Sequence, residues 1–551
     1  MKKNTIALLL IISLGAFLRF YKLDWGNGIF PHPDERNIAV VAETIQPPID
    51  SKFFTKGTFS YGSLIPYTAY FIKTINQKFV PSLFGLYPFK YYVFVLRVIS
   101  ALSAVFSILL IFLIGQRFWS RRVGIMSALL LTFSPGLIQA AHFGTFESSL
   151  TFLYLLVFYF FLVFWQTKRF IYFCLSFLFI IISCAIKINS IIFLPILILG
   201  FLFFLKQSII VKFILGIILT LVIFPLLTLL LSPYYLTSGF RGMLNYERGV
   251  VTGTLDVFYT KEFINSIPVW FQMIKIIPFI INPLFAVILP VMLVISLFTF
   301  FKNFLSARTN LRTIFPEFIL VVFLVILFFP NAFLFSKWTR YIVPSIPFFL
   351  LLITIILEKW QQKISNMFLY LLIIVNTLWG LSFMSIYFHK DVRITASRWM
   401  YENIEKNAVL LNETANVVDI PLPENQIDYD KHFNNIIFDF YGIPYNKELG
   451  QKLVSDIEMA DYIIVPSRRI VDGLARFPNK YPTISNYYKA LYSGELGFKN
   501  IKEFTSYPRL GNLEFPDYIA EGTFSVFDHP QISIWKKYKK LTTNDISNLL
   551  N

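Results

Sequence analysis

Charge is scarce in this sequence: Asp, Glu, Lys and Arg make up 15% of its 551 residues, against roughly 25% in soluble domains. That deficit excludes a soluble enzyme. Cysteine is scarcer still. Cys174 and Cys184 are the whole complement, and ten helical residues between them would set them about 15 Å apart, beyond disulfide reach. They say nothing about redox compartment. The chain also lacks a Gly-rich phosphate loop, Cys-based zinc spacing, a G-x-S-x-G turn and any internal repeat, so nothing points to nucleotide cradling, a zinc module or a serine hydrolase.

What is present is apolar. Hydrophobic residues reach 56%, Phe alone occurs 63 times, and mean hydropathy is +0.62, so the chain can bury its apolar surface only if most of it faces lipid. The net charge of +17 is unevenly spread: 30 Lys and Arg face 11 Asp and Glu through His389, and 19 face 21 from Lys390 onward. The basic excess therefore belongs to the apolar part. It suits cytoplasmic loops that hold spans in place and not a nucleic-acid surface.

Apolar windows of near-spanning length recur at about 5–20, 93–114, 123–140, 149–165, 170–186, 189–205, 213–231, 284–301, 318–334, 342–357 and 368–387. The first reads equally as a signal peptide or an anchor. We favour the anchor, since Arg19 closes the run and no small-x-small cleavage site follows. With the N-terminus inside, Lys2/Lys3, Arg117/Arg121/Arg122, Lys168/Arg169, Lys206/Lys212, Lys302/Arg308/Arg312 and Lys359/Lys363 fall on the cytoplasmic side. Eleven spans then place the tail outside. The expected architecture is a polytopic α-helical membrane protein with about 11 transmembrane helices, residues 1–389, and an extracytoplasmic α/β domain, residues 390–551. In the first long outer loop, Pro33 to Glu43 predicts an interfacial helix, and 60–75 a second. In the tail, 395–404 and 447–459 read as helices, and 408–411, 435–440, 462–465, 524–527 and 532–535 as strands.

Outward-facing acids are the first candidates for chemistry. Asp34 and Glu35 stand together at a helix start near low-dielectric lipid, where two carboxylates resist sharing charge and one can serve as a base. The helix dipole alone also favours acids there. Glu147, in the turn between the third and fourth spans, can share a cavity with Asp34 or be ordinary turn chemistry. Lys187 and Arg340, at outer span ends, can hold an anionic lipid head group; a snorkelling lysine and an aromatic anchor belt are the bland counterparts. Of the five histidines, His32 and His142 neighbour the acidic motifs. Their spacing permits a divalent metal without demanding one, so metal and cofactor stay undetermined.

At these residues the sequence resembles the C-type membrane glycosyltransferases, in particular the protein-mannosyltransferase-like branch (glycosyltransferase family 39) that uses a polyprenyl-phosphate sugar. The matching pieces are His32-Pro33-Asp34-Glu35, Tyr61-Gly62-Ser63-Leu64, His142-Phe143-Gly144-Thr145-Phe146-Glu147, Lys187-Ile188-Asn189, Ser232-Pro233-Tyr234 and Arg340-Tyr341-Ile342-Val343-Pro344. In the tail they are Ala396-Ser397-Arg398-Trp399, Asp461-Tyr462-Ile463-Ile464-Val465-Pro466-Ser467-Arg468 and Asp528-His529-Pro530.

The resemblance implies a catalytic base at Asp34, with Glu35 and Glu147 shaping its charge. The second acid is often Asp in the family and is Glu here. Lys187 and Arg340 become lipid-phosphate partners, and His32, His142, Tyr61, Tyr234 and Glu247 candidates for the donor or acceptor site. The implied reaction moves a hexose or related sugar from polyprenyl phosphate to an acceptor hydroxyl on a protein, glycolipid or polysaccharide, with inversion. The implied location is the plasma membrane, N-terminus cytoplasmic, with lipids but no nucleic acid as partners. The rival readings are a polyprenyl-linked glycan flippase and a polysaccharide polymerase or ligase.

Overall fold

The computed structural model describes residues 2–45, 59–79, 88–205, 207–305, 311–360, 363–413, 417–423 and 432–551. Lys206 and Arg308 of the expected basic clusters, and 46–58 and 80–87 of the first long loop, lie outside the described residues. The chain divides into two compact units. One comprises Met1–Leu23, Pro33–Val251 and Ile267–Met384; the other comprises Asp24–His32, Thr252–Ser266 and Ser385–Asn551.

The first unit is helical. Among the described residues six helices are long and apolar enough to cross a membrane, and a bent pair, Arg121–Thr132 with Pro135–His142, makes a seventh if it counts as one span. Four further windows expected to span are shorter apolar helices: Thr5–Phe20, Phe170–Ile186, Ile188–Phe203 and Pro283–Ser296. A short apolar helix at Trp270–Ile280 had no counterpart among the expected windows.

The 58° bend in the pair has a sequence cause. Pro135 has no N–H to give and crowds the carbonyl four residues back, so the helix breaks and leaves carbonyls unpaired. Arg19 of the first helix satisfies them: its guanidinium, fully buried, donates to Leu131 O at 3.0 Å and Thr132 O at 3.1 Å. Asn376 Nδ2 donates to Leu130 O at 2.7 Å. A buried arginine in the first span thus seals the end of another.

The second unit is an α/β domain with a five-stranded sheet, β1 (Val409–Glu413), β2 (Asn434–Phe438), β3 (Tyr462–Val465), β4 (Phe498–Phe504) and β7 (Ile532–Lys537), in the order β2-β1-β3-β7-β4. β5 (Arg509–Leu510) and β6 (Leu513–Glu514) form a separate hairpin. β1 runs parallel to both β2 and β3, while β7 is antiparallel to β3 and β4. β3 is buried at every position, which is why it reads as an unbroken apolar run. Alternation along it sends Ile463 and Val465 to a core with Leu453, Tyr487 and Leu491, and Tyr462 and Ile464 to a core with Val392, Met400 and Phe504. The expected strand at 524–527 is instead a helical turn, Gly522–Ser525, because Glu521 accepts the Thr523 N–H and caps it.

Candidate functional site

The adjacent acids Asp34 and Glu35 sit in the first turn of the helix Pro33–Thr44, which opens with proline where no N–H is needed. One residue apart on a helix, they point about 100° from each other. Glu35 turns inward and is fully buried. Its carboxylate accepts two bonds from Arg97, from Nε and Nη2, both at 2.8 Å, and a third from the Gly144 N–H at 2.6 Å. Arg97 also donates to Leu23 O at 2.7 Å. A Cβ on Gly144 would lie 2.8 Å from Leu96 Cβ, so glycine is what lets the loop approach this carboxylate. With Ser100 Oγ donating to Thr145 O at 2.8 Å, the turn ahead of Glu147 is fixed at two successive residues.

Asp34 turns the other way and forms an ion pair with Arg340. The Arg340 guanidinium lies 4.8 Å from the Trp338 ring centroid and 5.8 Å from that of Tyr341. Lys187 occupies an extended residue between the helix Phe170–Ile186 and the 3₁₀ turn Ile188–Phe193. Its ammonium is enclosed by three rings, Phe146 at 4.9 Å, Tyr341 at 5.0 Å and Tyr61 at 5.9 Å, a geometry that favours a cation. Glu147, Arg340, Asp34 and Glu247 all act on Lys187 electrostatically. Glu147 is buried at the start of the helix Glu147–Thr167, and its Oε1 meets no hydrogen-bond donor among the described residues.

Tyr61 is held in this cluster by the glycine that follows it. The Gly62 N–H donates to Ile186 O at 2.8 Å, and a Cβ there would fall 1.9 Å from Ala185 O, inside the carbonyl. Ser63 N–H donates to Ser232 Oγ at 3.0 Å, and the buried Tyr234 hydroxyl to Phe59 O at 2.6 Å. Ser60 Oγ donates to Glu247 Oε1 at 3.0 Å. Burial pushes the Tyr61 phenol well up, and Asp34 adds to this, so it stays a proton donor at neutral pH.

The structure therefore gathers Asp34, Glu147, Lys187, Arg340, Tyr61 and Glu247. Three other candidates of the first unit have partners of their own. Glu35 is occupied by Arg97 and Gly144, and Tyr234 supports the 59–63 segment. His142 is buried, with Nδ1 2.8 Å from Ile138 O and Nε2 2.9 Å from Tyr21 O. His32 belongs to the second unit, its ring 4.3 Å from that of Phe527. Among the described residues no three His, Cys, Asp or Glu side chains converge on one point. Sequence reasoning missed Arg97, and it quoted Phe146 and Tyr341 only within matching motifs, without a role. A lone arginine within an apolar span was the available signal for Arg97.

Residues 84–231 match the sequence model of the family described as dolichyl-phosphate-mannose-protein mannosyltransferase. No curated protein sequence matches the chain. Among solved structures, the archaeal oligosaccharyltransferase AglB from Archaeoglobus fulgidus, in complex with an inhibitory peptide and a dolichol-phosphate, aligns at a TM-score of 0.50 and 13% identity over 88% of this chain and 72% of its own. The apo form of the A. fulgidus oligosaccharyltransferase aligns at 0.49 and 13%, with the same coverage. ArnT from Cupriavidus metallidurans, bound to undecaprenyl phosphate, aligns at 0.42 and 12% over 83% of this chain and 92% of its own. The chain thus shares the fold of AglB, and over residues 84–231 it resembles the family described as dolichyl-phosphate-mannose-protein mannosyltransferase.

Proposed function

We propose that this protein is a membrane glycosyltransferase that moves a hexose or related sugar from a polyprenyl-phosphate carrier to an acceptor hydroxyl on the extracytoplasmic face. The observation that carries the reading is the Asp34–Arg340 ion pair within electrostatic reach of Lys187 and Glu147. The dolichol-phosphate bound to AglB, which has the same fold, supports the donor class.

The chemistry follows from the leaving group. A sugar on a lipid phosphate departs with its charge spread over phosphate oxygens, so no general acid has to protonate it. Needed instead are cations at the phosphate and a base at the acceptor. Arg340 presents a planar fork that matches two phosphate oxygens, and Lys187 adds a point charge. When the phosphate takes Arg340, Asp34 loses its partner and becomes available as a base. The acceptor oxygen attacks the anomeric carbon as its proton passes to Asp34. The carbon–oxygen bond to phosphate breaks, and polyprenyl phosphate leaves with the bonding pair. A single displacement of this kind inverts the anomeric centre. Glu147 and the Tyr61 hydroxyl orient the acceptor or the sugar.

A flippase would carry charge or broken helices at mid-membrane to bind its cargo. The one bent pair among the described residues has its freed carbonyls taken by Arg19 and Asn376, which leaves them unavailable to a cargo. Purified protein in liposomes, given a radiolabelled polyprenyl-monophosphate sugar and candidate acceptors, tests the proposal. A glycosidic product is expected. Lipid translocation with no such product would favour the flippase.

A further inference from the structure

The second unit has a cleft of its own at one end of the sheet. β3 ends there at Val465 and is followed by Ser467 and Arg468; β7 starts there, paired Val465 to Ser533 and preceded by Gln531. In sheets with parallel strands, ligands collect at the carboxyl ends. The segment Thr252–Ser266, although it lies in sequence between helices of the first unit, belongs to this unit and contributes Phe258, Tyr259, Lys261 and Glu262 to the wall.

The lining has three features. First, it is aromatic: Tyr259, Tyr507 and Tyr518 line it, and Tyr518 is 53% exposed. Second, it sets an open donor beside carboxylate acceptors, those of Glu262, Asp517 and Glu521. The Arg469 guanidinium stands 5.6 Å over the Phe258 ring and meets no hydrogen-bond acceptor among the described residues. Gln531 gives its amide N–H to Glu503, but its Oε1 is buried with no partner among them. Arg468 is locked bidentately to Asp472 at 3.1 and 2.8 Å, forming a rigid planar pair beside the Tyr518 ring. Third, the cleft is electrically balanced, with four cationic and four acidic side chains once His529 is counted as imidazolium.

Each feature narrows the ligand. Balance disfavours a phosphate or a polyanion, which would need uncompensated cations. An open donor beside carboxylate acceptors matches a group that both gives and takes hydrogen bonds, and hydroxyl is that group. Tyrosine faces beside planar charged pairs suit a ring with an apolar C–H face and an equatorial rim of hydroxyls. An extended peptide would instead use a free strand edge, and β3 and β7 are paired on both sides. We propose that this cleft is a carbohydrate-binding site taking a neutral, polyhydroxylated saccharide, built from residues of the second unit alone and independent of the transfer chemistry proposed for the first.

The test uses the full chain in detergent and saturation-transfer NMR. The probes are four neutral trisaccharides (mannotriose, maltotriose, cellotriose and triacetylchitotriose), a hyaluronan tetrasaccharide and a threonine-rich peptide. At least one neutral trisaccharide should receive saturation. Tyr518→Ala and Arg469→Gln should each weaken that binding about tenfold or more, as loss of a ring face or a charged hydrogen bond does. Both side chains are accessible, and an unchanged melting temperature confirms that the variants fold. Asp34→Asn should leave the signal intact, which separates this cleft from the proposed transfer site. The inference is overturned if no neutral saccharide binds, if binding ignores both cleft substitutions, or if the peptide or the hyaluronan fragment is the preferred ligand.

Discussion

Arg340 and Asp34, 306 residues apart in sequence, form an ion pair. A carboxylate so paired is a poor base, and a guanidinium so paired is not yet a phosphate clamp. In the proposed mechanism each is released for its task only when a phosphate competes for the arginine, which would order the reaction donor before acceptor.

Arg340→Lys keeps the charge but loses the planar fork. Steady-state kinetics should show a donor KM raised by about tenfold or more, because one of two parallel charged hydrogen bonds disappears. Lys187→Met should weaken donor binding while leaving the Asp34–Arg340 pair in place. A variant pair with wild-type donor KM would remove both from the phosphate site.

Gly62→Ala places a methyl where Ala185 O now sits, 1.9 Å from the ideal Cβ. The 59–63 segment has to move, and Tyr61 with it. Transfer should fall sharply, while Gly242→Ala, at a glycine with nothing within 4 Å of a built Cβ, leaves it unchanged. Equal activities for the two variants would show that Tyr61 has no part in the site.

Arg19→Met removes the buried donors to Leu131 O and Thr132 O. Leu131 O keeps the Ser134 N–H, and the loss of the donor to Thr132 O costs about 1–3 kcal/mol. The variant should melt lower than wild type, and an unchanged melting temperature would contradict the sealing role.

In the second unit, His529 is fully enclosed, its Nδ1 2.5 Å from Asp528 and its Nε2 2.7 Å from Asp517; the Tyr387 hydroxyl donates to Asp528 at 2.8 Å. Burial disfavours the imidazolium, but the two carboxylates outweigh it and push His529 up to about 10 from 6.5. A raised value in the folded state means that this contribution to stability is whole below pH 6.5 and is lost as pH rises through about 10. Thermal unfolding of the full chain should therefore fall across that window, and His529→Gln should flatten the dependence. An identical pH profile in the variant would rule the triad out.

Much of this was legible before any coordinates. Proline at the start of the 33–44 helix, the basic residues between apolar windows, and the 447–459 helix and 462–465 strand follow from local rules of capping, hydropathy and alternation. Sequence spacing also nominated Asp34, Glu147, Lys187 and Arg340, though it could not say that Asp34 and Glu35 part company, since only tertiary packing supplies Arg97 to one and Arg340 to the other. Arg19 looked like the polar end of a span because its acceptors lie more than 110 residues away. β4 escaped notice because only its two ends are buried and its exposed middle is charged, which masks the alternation.

The most direct test is a single-turnover comparison of wild type and Asp34→Asn with a polyprenyl-monophosphate sugar and a competent acceptor. The account predicts that the variant folds, still binds the donor, and transfers about 10²–10⁴-fold more slowly. Transfer at the wild-type rate by folded Asp34→Asn protein would contradict it.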